Sequence, residues 1–186
     1  MRFDDCIGGG GVVVFPADTV YGLACDPENA DAVARLYSLK GRLPGKPAAV
    51  MFFGLEPALA ALPELGPRTR ALMERLLPGA VTLLVPSDRF PLAGGAGTLG
   101  VRVPNVPALG SVPVLQSSAN VTGGPDARRL EDVPEAIRRG ADLVLDGGEL
   151  PGTPSTVVDL RTYEAGGEPR IVRAGAVPEP VIRSVA

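Results

Sequence analysis

Lys40, Arg42 and Lys46 lie within one short segment that also contains glycine and proline. Lys40 and Lys46 are the only lysines among 18 basic residues, so two compact ammonium groups occur together in a chain that otherwise uses arginine. Arginine binds phosphate as a planar fork and lysine binds it as a point charge. The cluster therefore predicts cations that fan out from a loop onto phosphates. A solvated basic loop is the alternative.

Polar side chains also end or interrupt the apolar runs. Asp18 and Thr19 follow the first run, where they could present groups to a ligand at a sheet edge or only cap a turn. Arg102 lies between two valines, so on a strand it points away from both and requires a carboxylate partner or a ligand. Hydroxyl and amide groups at later strand ends can hold a nucleotide or an amino acid by neutral hydrogen bonds. These later candidates are Thr98, Ser118, Asn120 and Ser155, and the isolated Arg173 ends the last apolar run.

The chain contains no histidine, which excludes a Ser-His-Asp triad, a Cys-His dyad and a His-ligated zinc site. Two cysteines, Cys6 and Cys25, cannot supply a four-thiolate metal site. Catalysis must then rest on Lys, Arg, carboxylates, hydroxyls, amides or backbone groups. Such groups suit positioning and charge stabilisation better than proton transfer near neutral pH.

The elements that must position these residues follow from the apolar pattern. The runs are mostly continuous, which favours a mixed sheet covered on both faces, an α/β or α+β architecture. No repeat or linker interrupts the 186 residues, so residues 1–186 are predicted to form one domain whose last ten residues pack loosely. The predicted helices are 28–40 (with Ala30, Val33, Ala34 and Tyr37 on one face), 67–77 and 131–139. The predicted strands are 11–15, 48–53, 80–85, 99–103, 112–117, 142–146, 155–160 and 170–173.

The formal net charge of −3 shows that the chain is no polycation, although a local basic groove remains compatible with it. No apolar stretch approaches the roughly 20 residues of a membrane-spanning helix. The first residues carry no signal-peptide pattern, so a cytoplasmic location with reduced thiols is expected.

Eight short segments, taken in order, resemble the YrdC-like family of threonylcarbamoyl-AMP synthases. Each is weak alone, but together they span nearly the whole chain in the family's order and spacing. They are Phe15-Pro-Ala-Asp-Thr-Val-Tyr-Gly-Leu23, Lys40-Gly-Arg42, Pro78-Gly-Ala-Val-Thr82, Val101-Arg-Val-Pro104, Ser118-Ala-Asn120 with Thr122-Gly123, Asp146-Gly-Gly148, Ser155-Thr-Val-Val-Asp159 and Arg173-Ala-Gly175.

The resemblance implies a twisted mixed sheet around a large, positively lined cavity. It also implies an enzyme that joins threonine, bicarbonate or CO2, and ATP into threonylcarbamoyl-adenylate and releases pyrophosphate. ATP would be a substrate, with Mg²⁺ accompanying it and no metal cage made by the protein. A separate transferase assembly would move the group onto an adenosine beside a tRNA anticodon. Direct contact with tRNA or double-stranded RNA is a further possibility of this family.

Residue roles carry over by position. Lys40 and Arg42 would be catalytic. The residues expected to bind threonine are Thr19, Arg102, Ser118 and Ser155, with Arg102 on the carboxylate. The residues expected to bind ATP are Lys40, Arg42, Lys46, Thr98, Asn120 and Arg173.

The chain departs from the family at three places. Many members have asparagine where this chain has Lys46, histidine where it has Met51, and a hydroxyl residue near Arg128. The threonine pocket is therefore the part of the resemblance most open to change. Two other functions are compatible with the sequence. One is a non-catalytic nucleotide- or RNA-binding paralogue, and the other is an enzyme that forms carbamoyl-adenylate from carbamoyl phosphate.

Overall fold

The computed structural model describes residues 2–43, 47–106 and 109–186, so Lys46 lies outside the described residues. The helices are α1 (Phe3–Gly8), α2 (Ala30–Leu39), α3 (Leu55–Ala61), α4 (Pro67–Leu76), α5 (Glu135–Gly140) and α6 (Glu179–Val185), with a 3₁₀ turn at Leu130–Asp132. The strands are β1 (Val13–Pro16), β2 (Tyr21–Cys25), β3 (Ala49–Met51), β4 (Val81–Val85), β5 (Leu99–Arg102), β6 (Val114–Ser118), β7 (Leu143–Val144), β8 (Thr156–Asp159) and β9 (Arg170–Arg173).

In the described part of the chain, nine strands join one sheet in the order β7-β1-β2-β6-β3-β5-β4-β8-β9. Three neighbouring pairs are parallel, namely β1 with β7, β3 with β5, and β4 with β8. The other pairs are antiparallel. The predicted mixed sheet in an α/β architecture is therefore confirmed.

The sheet separates two apolar clusters, because successive residues of a strand point to opposite faces. Val12 and Val14 belong to the larger cluster, which includes residues of α2, α3, α4, α5 and α6. Val13 and Phe15 belong to a smaller cluster with Phe3 and other residues of α1. Helices thus lie on both faces, as predicted. The short α1 covers only one part of its face and leaves the rest available for a cavity.

Helix α2 leads directly to the lysine segment, and its start is fixed by Asn29. The Asn29 side chain accepts hydrogen bonds from the backbone N–H groups of Asp31 and Ala32, at 3.1 and 3.0 Å. Its buried residues are Ala32, Val33, Leu36 and Tyr37. Of the four residues predicted on one face, Val33 and Tyr37 are buried, whereas Ala30 and Ala34 are exposed.

We expect Asn29→Ala to lower the free energy of unfolding by about 1 kcal/mol, because two N–H groups of the first turn lose their acceptor. Asn29→Ser is the matched control, since serine can still accept one of these bonds. Urea denaturation of the two variants and the parent measures the difference. Equal losses for alanine and serine would show that the cap does not stabilise α2.

Several elements differ from the sequence prediction. β2 was not predicted, because the polar residues before it and Gly22 within it obscure a strand whose five residues are all buried. The predicted helix 131–139 is divided, because Pro134 precedes α5 and cannot donate a helical N–H bond. The predicted loose packing of the last residues was wrong, since Ile182 of α6 is fully buried in the larger cluster. In the described part of the chain, no helix has the length and apolar character needed to cross a membrane.

Candidate functional site

A cavity of about 550 Å³ lies on the sheet face that α1 leaves uncovered. Ala49 of β3 and Gly100 of β5 are paired at its floor, so little side-chain volume fills the space there. A Cβ atom on Gly100 would lie 3.3 Å from Ala49, so a side chain there would crowd the neighbouring strand. The cavity is therefore formed by small residues in neighbouring strands and not by a gap between helices.

Four arginines line this cavity, together with a single carboxylate among the described lining residues, Asp126. The arginines are Arg42, Arg102, Arg161 and Arg173. The predicted basic cavity is confirmed in a protein whose overall charge is negative. Such an arrangement concentrates positive potential where an anionic ligand would enter.

Arg102 projects from β5 and is only 3% exposed. Its guanidinium forms an ion pair with Asp18 and donates to the Thr19 hydroxyl oxygen at 2.8 Å. Burial lowers its pKa from the ordinary value, and Arg173 acts in the same direction while Asp18 opposes them. Asp18 also accepts a bond from the backbone N–H of Asn105 at 3.2 Å. The expectation of a carboxylate partner for Arg102 is confirmed, and Asp18 does more than cap a local turn.

The Nε atom of Arg102 is buried and has no hydrogen-bond partner among the described residues. An unpaired buried donor is costly, so such a group is commonly satisfied by water or a ligand. Because Arg102 lines the cavity, a carboxylate bound there could pair with its guanidinium.

Ser155 forms a second polar group at the cavity wall with Thr82 and Arg173. The Thr82 and Ser155 hydroxyl oxygens are 2.8 Å apart. Arg173 donates to the Ser155 carbonyl oxygen at 2.7 Å and to its hydroxyl at 3.3 Å. The sequence predicted Ser155 and Arg173 as separate binding residues. In the structure, pairing of β8 with β9 brings them into contact.

Lys40 follows α2 and is buried, with 2% of its surface exposed. Its ammonium donates to the backbone oxygen of Ser118, and to the backbone and side-chain oxygens of Asn120 at 2.9 and 3.0 Å. Burial lowers the pKa of Lys40 from 10.5 to about 8, Arg42 acts in the same direction, and Asp126 opposes them. The prediction that Lys40 fans out from a loop was wrong.

The segment that Lys40 holds forms a compact turn. Ser118 donates its hydroxyl to the Asn120 side-chain oxygen at 2.8 Å, and the Asn120 amide donates to the Gly124 carbonyl oxygen at 2.7 Å. The Lys40 carbonyl oxygen accepts from the backbone N–H of Thr122 at 2.9 Å. Ser118 lines the cavity, whereas Lys40 and Asn120 are not among the described lining residues. We call residues 118–124 the Ser-Ala-Asn turn.

The sequence profile of the Sua5/YciO/YrdC proteins, described as "Telomere recombination", matches residues 5–175. The chain belongs to this family. A threonylcarbamoyl-AMP synthase of Thiobacillus denitrificans is 38% identical over 169 residues, which cover 82% of this chain and 86% of that protein. A protein of the same name from Pyrococcus abyssi is 31% identical over 186 residues, 95% of this chain.

This Sua5/YciO/YrdC chain spans about half the length of two relatives it matches, 54% of the Pyrococcus abyssi protein and 52% of a Bacillus subtilis synthase. Among solved structures, P. abyssi Sua5 complexed with L-threonine superposes with a TM-score of 0.85 at 30% identity, over 97% of this chain and 55% of that one. E. coli YciO superposes with a TM-score of 0.76 at 27% identity, over 96% and 89% of the two chains. The predicted family and its fold are thereby confirmed.

Of the other predicted site residues of this Sua5/YciO/YrdC chain, Arg42 and Thr98 line the same cavity. Arg42 donates to the carbonyl oxygen of Pro47, and its guanidinium lies 5.6 Å from the centre of the Tyr37 ring. The Arg42 Nε atom is buried without a partner in the described chain. Lys46 remains a prediction, because it falls outside the described residues.

Sequence reasoning assigned no specific role to Gln116, Asp126 or Arg161, all of which line the cavity. Gln116 lies on β6 two residues before Ser118, so strand periodicity alone would have placed both on one face. Met51, where the family resemblance predicts histidine in many members, is fully buried in the smaller apolar cluster. In this chain, that position contributes to packing beneath α1.

Proposed function

We propose that this chain is an L-threonylcarbamoyladenylate synthase, which uses L-threonine, bicarbonate or CO2, and ATP. The observation that carries the proposal is Arg102, which lines an arginine-rich cavity and has a buried Nε without a hydrogen-bond partner among the described residues. Relatives named threonylcarbamoyl-AMP synthase, at 31 to 38% identity, support it. So does the structural likeness to a Sua5 complexed with L-threonine.

The proposed reaction needs neither a histidine base nor a covalent enzyme intermediate. The threonine amine adds to CO2, forms an N–C bond and loses a proton to give a carbamate. A carbamate oxygen then attacks the α-phosphorus of ATP, so that a new P–O bond forms and the bond to the β-phosphate bridging oxygen breaks. Pyrophosphate leaves with that electron pair. Positioning of the reactants and cations on the phosphate oxygens are the main demands on the protein.

Threonine would bind beside Arg102, whose guanidinium is fixed by Asp18 and Thr19 and suits a carboxylate. Thr19 accepts from Arg102 through its oxygen, so its own hydroxyl proton remains available to the ligand. Ser118 and Ser155 would supply further hydroxyls from opposite sides, since β6 and β8 are separated by three strands. We retain all four residues as the proposed threonine site.

ATP would lie in the remaining part of the cavity, with Arg42, Thr98 and Arg173 on its phosphates. Lys40 and Asn120 would contribute mainly through the Ser-Ala-Asn turn, because their polar atoms already bond one another. No group of three or more cysteine or acidic side chains in the described chain is arranged to hold a metal. We propose that Mg²⁺ enters as part of the MgATP substrate, held chiefly by phosphate oxygens and water.

A product with a mixed carbamic-phosphoric anhydride is an activated acyl donor, so a second enzyme would be expected to consume it. We propose that a transferase assembly in the cytoplasm passes the threonylcarbamoyl group to a tRNA adenosine. The resemblance to the family motivates this step.

The test is pyrophosphate release from purified protein with ATP, threonine and bicarbonate, each omitted in turn. We expect release only when all three are present, with threonylcarbamoyl-AMP identified by mass spectrometry. ATP-dependent loss of carbamoyl phosphate without threonine would support the carbamoyl-adenylate reaction instead. Retained ATP binding without release would favour a non-catalytic paralogue, whose binding to structured RNA should weaken steeply with salt.

A further inference from the structure

Arg161 lines the cavity but has no part in the site described so far. It lies just after β8 and is anchored through three contacts to Asp159. Its backbone N–H and Nε donate to one carboxylate oxygen at 3.0 and 2.9 Å, and a terminal nitrogen donates to the other at 2.7 Å. The guanidinium is thus held in one orientation although the side chain is 45% exposed. An anchored fork loses less conformational freedom when it binds an anion.

Arg170 of β9 shares the same carboxylate, donating to Asp159 at 2.8 Å. Asp159 is 8% exposed, and the hydrogen bond from Arg161 holds its pKa well below the ordinary range, with Arg170 acting in the same direction. One carboxylate between two guanidinium groups leaves a net charge of plus one. The second terminal nitrogen of Arg161 makes no hydrogen bond to the described chain, so this side of the fork can still donate.

Strand register places Arg161 near the proposed phosphate site. Leu84 of β4 is paired with Gly100 on one side and with Asp159 on the other. Thr98 precedes Gly100 by two residues, and Arg161 follows Asp159 by two. Because β5 and β8 run in opposite directions, both residues lie toward the same end of the sheet. Two strand spacings, about 10 Å, separate the backbones there, and an arginine side chain with a phosphate group fits that span.

We propose that Arg161 is a phosphate-binding residue of this cavity, which contacts the terminal phosphates of ATP and the pyrophosphate that they become. The inference rests on the proposed function for the identity of the nucleotide. Its physical basis is separate: a cavity-lining guanidinium, anchored by a carboxylate that Arg170 also neutralises. Arg170 is 70% exposed and is not among the described lining residues, so it shares the anchor without facing the ligand.

This pair provides a matched test. Arg161→Gln and Arg170→Gln each remove one positive charge and one partner of Asp159. Isothermal titration calorimetry of both variants and the parent with inorganic pyrophosphate, at fixed ionic strength, would measure the difference. We expect the Kd to rise roughly tenfold for Arg161→Gln, the loss of one charge-assisted contact, and less than twofold for Arg170→Gln. Arg161→Lys should recover part of the affinity.

Equal weakening in both glutamine variants would overturn the proposal, since it would show only a diffuse effect of charge. An unchanged Kd in Arg161→Gln, or a parent protein that does not bind pyrophosphate, would overturn it as well. Thermal unfolding of both variants measures how much stability each loses when Asp159 loses one of its two arginine partners. The proposed function fails instead if threonine-dependent pyrophosphate release is absent from the parent, a result independent of which arginine binds pyrophosphate.

Discussion

Replacing Arg102 with lysine is expected to raise the KM for threonine roughly 10- to 100-fold and to change the KM for ATP less than threefold. Lysine retains the charge that Asp18 requires but lacks the planar fork and the Nε donor. The lost contact is a charge-assisted hydrogen bond to a carboxylate, worth about 1.5 to 3 kcal/mol. Initial rates of pyrophosphate release, with each substrate varied at saturating concentrations of the others, give both constants.

Alanine is the less informative replacement at this position. Arg102→Ala would leave the Asp18 carboxylate buried without its guanidinium, since the Asp18 side chain is 8% exposed. Breaking a buried pair in this way costs about 3 to 5 kcal/mol of folding free energy. In the fraction of Arg102→Ala that folds, we still expect the KM for threonine to rise far more than the KM for ATP.

Arg89→Lys is the matched control, because Arg89 pairs with Glu28 at the surface and is not among the described cavity-lining residues. It should leave both KM values unchanged. Threonine amide, which lacks the carboxylate, should be used about equally poorly by the parent and Arg102→Lys. Similar increases in both KM values for Arg102→Lys would contradict the carboxylate role and assign Arg102 to the cavity as a whole.

The residues around Arg102 show what could be predicted from sequence. An arginine between two valines on a strand has few stable environments, so a carboxylate or a ligand could be expected without a fold. The identity of that carboxylate could not be predicted, because Asp18 is 84 residues away in sequence. It reaches β5 only because the chain between β1 and β2 places it there. The sequence thus predicted that Arg102 needs an anionic partner, and only the tertiary structure identified Asp18 as that partner.

Strands were predicted best where a continuous apolar run ends at proline, as β1 and β4 do. β2 was missed since its signal is mixed with the polar residues that precede it. Arg161 was missed for a related reason. The predicted strand 155–160 ended immediately before it, and only pairing of β8 with β4 shows that the next residue reaches the cavity.

Lys40 shows that neighbouring residues of one sequence motif can have different environments in the structure. The sequence places it two residues from Arg42, which favours a shared role as cations on phosphate. In the structure the two side chains separate, because Lys40 turns inward to oxygens of the Ser-Ala-Asn turn, 78 and 80 residues later. Whether its ammonium also contacts ATP remains a prediction. Its contacts already assign it a positioning role for Ser118.

Lys40→Met is therefore expected to lower kcat by at least 100-fold and to destabilise the fold by about 2 to 4 kcal/mol. Methionine has similar length but no donor, so oxygens of Ser118 and Asn120 lose a buried partner at about 1 to 3 kcal/mol each, partly offset by the charge no longer being buried. The turn would then no longer hold the Ser118 hydroxyl at the cavity. Urea denaturation and pyrophosphate-release rates under conditions where the variant is folded separate the two effects.

The pH dependence provides a sharper test of the same role, because the pKa of Lys40 is lowered to about 8. Above that pH the amine has too few protons to donate to all three oxygens, so we expect kcat to fall as pH rises through about 8. Stability should change in the opposite sense. Between about 8 and the ordinary value of 10.5, the folded state binds fewer protons here than the unfolded state, so the contribution of Lys40 to the free energy of unfolding rises with pH.

Opposite trends above pH 8 would show that activity is lost through one deprotonation and not through unfolding. Arg42 and Asp126 face Lys40 and contribute to its pKa, so the profile is to be compared between the parent and Lys40→Arg. Arginine stays charged throughout this range, so the fall in kcat should disappear in that variant even if its maximal rate is reduced. A parent profile that is flat between pH 7 and 9.5, or a Lys40→Met variant with normal kcat, would show that the Ser-Ala-Asn turn keeps its geometry without the ammonium.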